Sequence, residues 1–222
     1  MSTIWNWKFA WHIVPSLLEA ARVTIEATII GFFIAAILGL ALALMRRSRR
    51  RWVSIPVAGF VEAVRSTPLL VQIYFLFFVL PNFGILLPAI VAGVLGLGLH
   101  YSTYCSEVYR AGLDGVPRGQ WEAATSLNLS RYRIYRDIII PQAIPPVVPA
   151  LGNYLVGIVK DTPLLSAIAV VEIMQEGKII GSETFRYIEP ITLVGVFFLI
   201  VSLIAMVAIR RVEAWLRRKV MG

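Results

Sequence analysis

The sequence predicts an all-α integral membrane protein with about five transmembrane helices, in a single membrane domain spanning residues 1–222. Two observations carry this prediction. First, 58% of the residues are hydrophobic, only 15% are charged and the mean hydropathy is +0.76, a composition that excludes a water-soluble globule of this length. Second, the apolar residues form long uncharged windows whose ends carry clusters of arginine.

The five windows approach the length of about 20 residues that a helix needs to cross about 30 Å of hydrocarbon. They are Ala27–Met45, Ser66–Leu80, Ile85–Ser106, Ile138–Val159 and Pro190–Ile209. The second window is short, but it extends backwards through Ile55–Val64 if Glu62 and Arg65 face protein or water. We therefore expect five spans.

The N-terminal segment lacks the basic start, apolar centre and small-residue cleavage site of a secretion signal. Trp5, Trp7 and Trp11 are interpreted as anchors at the level of the lipid headgroups, where an amphipathic indole is stable. A first helix is expected to begin near Pro15 and Ser16.

The distribution of lysine and arginine predicts the orientation, because short cytoplasmic loops are enriched in these residues. Basic clusters follow the first window (46–51), separate the third from the fourth (118–136) and follow the fifth (210–219). We expect these three regions and the C-terminus to be cytoplasmic, and the N-terminus, the turn at 81–84 and the loop at 172–189 to lie outside. The net charge of +8 then reports topology and does not indicate a nucleic-acid partner. The single cysteine, Cys105, is expected to be a small packing residue.

Residues 117–137 interrupt the apolar windows with a polar, basic segment that predicts a helix-turn-helix. Pro117 suits the start of a short helix, and Asn128 suits a left-handed stop after it. Ser130 can cap a second helix that runs toward the membrane. The product is a helical projection on the cytoplasmic side.

The residues of this projection resemble a known family. Glu122-Ala123-Ala124, followed later by Ile140-Pro141, resembles the EAA loop of the permeases of binding-protein-dependent ABC importers. Four further stretches are similar to the polar amino acid branch of that family, and the resemblance covers about residues 15–211, a type I permease core. The stretches are Arg65 to Gln72 (family pattern R-G-T-P-L-L-V-Q), Tyr104 to Gln120, Gly152-Asn153 and Lys160-Asp161-Thr162.

The resemblance implies a bacterial cytoplasmic membrane protein that carries no cofactor of its own. ATP and Mg would be bound by two partner ATPase subunits, a second permease would complete the path, and a periplasmic or surface-tethered binding protein would deliver the solute. The coupling loop, 117–137, would dock the ATPase through residues of its short helix and turn. These are Glu122, Ala123, Ala124, Leu127 and Asn128.

Three positions depart from the family pattern. Asn128 and Ser66 stand where the family usually has glycine, and Pro163 stands where the branch commonly has serine. Asparagine tolerates positive φ, so the turn at Asn128 should survive. The stretch KDTPLLSAI resembles permeases for ectoine and hydroxyectoine.

Ionisable and polar groups in or beside the windows are candidates for the translocation path, because such groups are costly in hydrocarbon. These are Arg65, Thr67, Gln72, His100, Glu107, Lys160 and Asp161. Structural alternatives stand beside this interpretation. Glu62 and Arg65 are spaced to pair on one helix face, His100 can be a satisfied interior histidine, and Lys160 and Asp161 can snorkel and cap.

Prolines and glycines suggest how the windows pack. Pro141, Pro145, Pro146 and Pro149 fall in the fourth window and predict a bent helix, either beside the path or for structural reasons alone. The third window contains three closely spaced glycines, Gly93, Gly96 and Gly98. Their spacing indicates close packing of helices within the chain and not a dimerisation motif.

Missing motifs define what the chain does not do. It lacks a G-x-x-x-x-G-K-[ST] phosphate loop, so ATP hydrolysis by that route belongs to another polypeptide. The main alternative is an ion-coupled secondary transporter or channel, for which neither internal repeats nor several buried carboxylates are found. A membrane enzyme is a more distant alternative, because no nucleophile, base and orienting group can be assembled.

Overall fold

The computed structural model describes residues 5–221, and the side chains of all of them except 217 and 219–221. The described chain is helical without strands, which confirms the predicted fold class. The α-helices are α1 (Trp7–Arg46), α2 (Arg51–Arg65), α3 (Leu69–Tyr74), α4 (Ala89–Asp114), α5 (Arg118–Ser126), α6 (Arg131–Arg133), α7 (Ile140–Asp161), α8 (Ile173–Thr184) and α9 (Ile188–Met221). Two π-helical segments (Phe75–Val79 and Ile134–Ile139) and two 3₁₀ segments (Leu80–Phe83 and Thr162–Ile168) connect them.

Three of the described helices are long and apolar enough to cross a membrane: Trp7–Arg46, Arg131–Ile168 and Ile188–Leu216. The pair Arg51–Arg65 and Leu69–Phe83 meets the same criteria only if the two helices are taken together as one bent span. The predicted third span falls on α4, whose 26 residues extend about 39 Å but become polar from His100 onward. The count of five spans stays a prediction.

The predicted backward extension of the second span through Ile55–Val64 is not one straight helix. α2 and α3 meet at an angle of 104° across Ser66-Thr67-Pro68, because the residue before a proline is driven out of helical conformation. Of the 15 residues of α2, only Val61 is buried. α2 is therefore a peripheral helix set nearly at right angles to α3.

The first helix also begins earlier than the sequence indicates. It starts at Trp7, because the Asn6 side chain accepts a hydrogen bond from the Phe9 amide at 3.1 Å and caps the helix. Pro15 lies inside α1 and does not start it. Burial of Ile13 and Leu17 against Ile173 and Val194 stabilises this first part of α1.

α4 occupies the centre of the helix bundle and lies closely against α1. A Cβ added at Gly39 would lie 2.6 Å from Cys105 Cβ and 2.7 Å from the Ser102 carbonyl oxygen. A Cβ at Gly98 would lie 2.5 Å from Ile34 Cγ2. A Cβ added at Gly93 would collide with Leu165, and one at Gly96 would collide with Ile73. The predicted packing role of the glycines and of fully buried Cys105 is confirmed.

The helix from Arg131 to Ile168 passes through all four prolines without a break. Pro141 falls in the first turn of α7, directly after the π segment, and the other three lie inside that helix. The π segment Ile134–Ile139 joins α7 to the loop at 117–137. The loop and the opposite end of this helix are therefore parts of one continuous element.

The predicted outer loop at 172–189 contains a helix, α8, and two buried glutamates. Glu172 is fully buried, and its carboxylate accepts hydrogen bonds from the Met174 and Gln175 amides at the start of α8, at 3.0 and 2.9 Å. Burial raises the pKa of this carboxyl, because the charged form loses its hydration. Glu189 is 1% exposed and pairs with Arg186. These acids fix the loop onto the bundle.

Candidate functional site

Aromatic side chains from α4 and α7 form a cluster inside the bundle, which we call the aromatic cluster (His100, Tyr101, Tyr104 and Tyr154). The centroids of Tyr101 and Tyr104 are 6.1 Å apart, and Tyr154 lies 6.0 Å from the first and 5.7 Å from the second. His100 lies 5.2 Å from Tyr104. Tyr104 follows Tyr101 by three residues and His100 by four, so it neighbours both on the surface of α4.

Opposite charges flank the aromatic cluster. The Tyr101 hydroxyl donates a hydrogen bond to Asp161 Oδ2 at 2.7 Å. At the other side, the Arg65 guanidinium carbon lies 5.1 Å from the centroid of the Tyr104 ring. Arg65 Nε is buried and has no hydrogen-bond partner within the described residues. A carboxylate and a guanidinium with an unused donor thus lie at two sides of one group of rings.

Gln72 connects the helix break to this cluster. Its amide nitrogen donates to Thr67 Oγ1 at 2.8 Å and to the Val64 carbonyl oxygen at 2.7 Å. Its Oε1 lies 3.2 Å from His100 Nδ1. One side chain therefore holds the end of α2, the turn before α3 and the polar part of α4 together.

Glu107 lies about one turn nearer the C-terminal end of α4 than Tyr104 and is surrounded by arginines. It pairs with Arg46 of α1, with Arg110 at 2.8 Å and with Arg65 at 3.6 Å. The predicted pair between Glu62 and Arg65 does not form, since Glu62 is exposed and Arg65 faces α4. α2 bends away from α3, and this turns Arg65 inward.

The structure brings together six of the seven candidate path residues and leaves one apart. Arg65, Thr67, Gln72, His100, Glu107 and Asp161 lie in the contacts just described, whereas Lys160 is exposed beside Asp161. The sequence interpretation did not select Tyr101, Tyr104 and Tyr154. Two tyrosines and a histidine within five residues of an otherwise apolar helix were the available signal.

The loop at 117–137 has the predicted local structure. Pro117 precedes the first residue of α5, Asn128 adopts a left-handed conformation with φ of 54°, and Ser130 Oγ accepts a hydrogen bond from the Arg133 amide at 3.4 Å. The three residues thus begin α5, end the turn after it and start α6.

α5 has one buried and one exposed side. Ala124 is 1% exposed and packs with Ile134, Ile139 and Ala143. Glu122 and Ala123 are exposed, and the Leu127 side chain is 72% exposed. α5 thus presents an exposed carboxylate, followed at its end by a large exposed aliphatic side chain, while its other side is packed, and this surface is suited to contact with another protein.

Comparisons with known proteins agree with this geometry. Residues 31–218 match the family model described as "Binding-protein-dependent transport system inner membrane component". A probable amino-acid ABC transporter permease of Sinorhizobium fredii is 47% identical over 211 residues, covering 95% of this chain and 91% of the relative. An octopine transport system permease of Rhizobium meliloti is 35% identical, covering 89% and 84%.

Solved structures give the same result at the level of the fold. The crystal structure of an amino acid ABC transporter with histidines is 31% identical with a TM-score of 0.90, covering 96% of this chain and 99% of that one. The methionine ABC transporter MetNI, in inward-facing conformations, has a TM-score of 0.72 at 19% identity and supports the fold alone. Relatives of this kind are transport subunits and not enzymes, and their ATPase is a separate subunit. The chain therefore belongs to the family of inner-membrane components of binding-protein-dependent transport systems, and within it to the ABC transporter permeases.

Proposed function

We propose that this chain is the permease subunit of an ATP-driven importer that moves a polar amino acid or an amino-acid-like zwitterion into the cytoplasm. An ectoine-type zwitterion is the narrower candidate, based on residues 160–168. The names of the relatives, which are amino-acid and octopine permeases, support the broader substrate class. The chain would lie in a bacterial cytoplasmic membrane with its N-terminus outside and its C-terminus in the cytoplasm.

The continuous helix from Arg131 to Ile168 is the observation that carries this proposal. One end packs on α5 through Ile134 and Ile139, and the other contains Asp161 beside the aromatic cluster. Gln142 of α7 also donates a hydrogen bond to Gln120 of α5 at 3.2 Å. A displacement of α5 would therefore reach the aromatic cluster through a single helix.

In this proposal two ATPase subunits dock on α5 of this chain and on the equivalent helix of a second permease. Glu122, Ala123 and Leu127 supply the contact surface, while Ala124 anchors the helix and Asn128 sets the turn. ATP and Mg are bound by the ATPase subunits. Their closure on ATP favours the outward-open form, and their separation after hydrolysis favours the inward-open form.

The charges around the aromatic cluster suit a zwitterion. The buried, unpartnered Arg65 Nε can donate to a carboxylate, and Asp161 with the tyrosine rings can accept an ammonium or amidinium group. A solute-binding protein would deliver the zwitterion at the outer face. Gln72 and His100 would act by holding the α2–α3 break against α4, and Thr67 by fixing Gln72.

The test is a charge reversal at the proposed docking surface. We expect Glu122→Lys to abolish ATP-dependent uptake in proteoliposomes that contain the complete transporter and its binding protein. The melting temperature of the purified chain should stay unchanged, because Glu122 is exposed. Asp137→Lys is the matched control, an exposed carboxylate of the same loop whose side chain is 56% exposed, and it should retain uptake. Uptake by Glu122→Lys at the control's rate would contradict the proposal.

A further inference from the structure

A cavity of about 650 Å³ opens beside α5, between the cytoplasmic end of α1 and the start of α6. Arg47 and Arg49 line one side, and Arg131 lines another. Trp121, Ile134 and Tyr135 form an apolar wall. We call this the basic cavity. None of its lining residues belongs to the proposed docking surface or to the aromatic cluster.

The basic cavity carries uncompensated positive charge. Arg47 is paired with Asp114, so it contributes little net charge. Arg49 and Arg131 are exposed and form no ion pair within the described part of the chain. No carboxylate lines the cavity. Two guanidinium groups facing one space favour an anion with several oxygens, and a phosphate fits this description.

The position of the cavity and its apolar wall indicate the source of the phosphate. α1 is apolar up to Arg46, and α6 begins the next long apolar helix at Arg131, so the cavity lies where two membrane helices reach the headgroup level. Trp121 and Tyr135 meet edge to face with centroids 5.3 Å apart, and such amphipathic rings favour the membrane interface. A soluble anion would gain no binding free energy from contact with this apolar wall, whereas the glycerol and upper acyl region of a lipid would pack on it.

We propose that the basic cavity binds the phosphate headgroup of an anionic phospholipid from the cytoplasmic leaflet. Arg49 belongs to the α1–α2 turn, Arg131 begins α6, and Trp121 belongs to α5. The bound lipid therefore bridges α5 to the body of the permease at a point that no ion pair between described side chains connects. Basic pockets between membrane helices on the cytoplasmic side are a recurrent place for such recognition.

The test measures retention of phosphatidylglycerol by the full-length chain purified in detergent, using native mass spectrometry across a lipid titration. The double variant Arg49→Gln/Arg131→Gln should weaken the apparent affinity about 30-fold, or about fivefold for each guanidinium removed. Arg51→Gln/Arg133→Gln is the matched control, because it removes two exposed cytoplasmic arginines that do not line the cavity. It should change the affinity by less than about twofold. Equal weakening by both pairs would overturn the site.

Three further measurements identify the ligand and separate a loss of binding from a folding defect. Phosphatidylcholine with the same acyl chains should bind at least about fivefold more weakly, and equal binding would overturn the recognition of charge. Inorganic phosphate at matched concentration should not raise the melting temperature, and a rise equal to that from phosphatidylglycerol would overturn the lipid assignment. Arg49→Lys/Arg131→Lys keeps both charges and should retain the affinity for phosphatidylglycerol within about threefold. This variant provides the test even if the glutamine variant is unstable, and a larger loss of affinity would overturn the proposal.

Discussion

α4 and α9 are both long helices of a membrane protein, yet they differ in the side chains that they bury. α4 buries glycines and hydroxyl side chains, and Ser102, Thr103 and Ser106 are all fully buried. α9 presents Leu199, Leu203 and Ile204 on its surface, and only 11% of its most apolar window is buried. The more apolar helix is the one on the outside.

The difference follows from the solvent on each side. Leucine and isoleucine side chains are as stable in contact with lipid as in a protein interior. Burial of apolar area between helices therefore contributes little free energy to helix association. Close packing and satisfied hydrogen bonds decide which helix lies inside. In α4 the three buried hydroxyls donate to the carbonyl oxygens of Leu99, His100 and Thr103 at 2.6 to 2.7 Å. Average hydropathy is therefore a clearer signal for α9 than for α4, which is apolar only up to His100.

The largest expected effect tests the close packing of α4 directly. We expect Gly39→Ala to lower the stability of the purified chain by about 1–3 kcal/mol, because the new methyl group meets Cys105 Cβ and the Ser102 carbonyl oxygen below 2.8 Å. Gly195→Ala is the matched substitution on α9, where nothing lies within 4 Å of the added atom. Thermal melting in detergent should show a loss for the first variant and none for the second. Equal melting temperatures would mean that α1 and α4 are not rigidly packed.

The second effect tests whether the polar side of α4 faces the solute. We expect Asp161→Asn to raise the KM for uptake at least about tenfold, since a charge-assisted hydrogen bond contributes about 1.5–3 kcal/mol. The Tyr101 hydroxyl can still donate to the asparagine oxygen, so the local structure should persist. Lys160→Gln removes the adjacent exposed charge and should leave the KM within about twofold. A KM for Asp161→Asn that matches this control would remove Asp161 from the path.

The smallest effect concerns a polar group outside the membrane-spanning helices. The pKa of Glu176 on α8 is raised above its ordinary value of 4.5, first by burial and then by Glu183 and Glu19. The folded chain then binds a proton that the unfolded chain releases, so stability falls as pH rises from the ordinary value through the raised one. We expect Glu176→Gln to flatten this fall and to stabilise the protein at neutral pH by less than about 1 kcal/mol, given solvent screening.

Melting temperatures measured from pH 4 to pH 8 would check this expectation. Glu26→Gln is a suitable control, because Glu26 is paired with Arg22 at 2.7 Å and its removal should not stabilise the protein at neutral pH. A steeper fall in the Glu176→Gln variant than in the unaltered chain would contradict the sign of the prediction.

Features with a local cause could be predicted from the sequence. Asn128 and Ser130 adopt the conformations expected from their own side chains, and the glycines of α4 pack as their spacing indicates. Features with a distant partner could not be predicted. Glu172 caps α8, and the neighbouring Ile173 amide donates a hydrogen bond to Thr24 Oγ1. Glu189 accepts a hydrogen bond from the Asn6 amide, 183 residues away in the chain. The sequence placed both glutamates only in a loop expected to lie outside and gave no partner for either.

The bend between α2 and α3 shows that the contacts of the candidate site also could not be predicted from the sequence. Pro68 was visible as a helix breaker, but the angle of 104° also depends on Gln72, which joins both helices to His100. Once α2 turns away, Arg65 points at Tyr104 and Glu107 and no longer at Glu62. A local spacing rule therefore gave the wrong ion-pair partner, and the tyrosines of the aromatic cluster could be connected only through the folded chain.

The prolines of α7 give the long helix an uneven resistance to bending. Pro145, Pro146 and Pro149 have no amide hydrogen, so the carbonyl oxygens of Pro141, Gln142 and Pro145 receive no bond from four residues ahead. All three oxygens lie within about two turns of the π segment, between α5 and Asp161. A force applied at the end next to α5 would therefore bend the helix first at these prolines, where few backbone hydrogen bonds have to break. After the prolines, residues 150–161 have the full set of backbone amides of an ordinary helix and would move as a stiff rod. A small tilt at the prolines would therefore become a lateral displacement at Asp161.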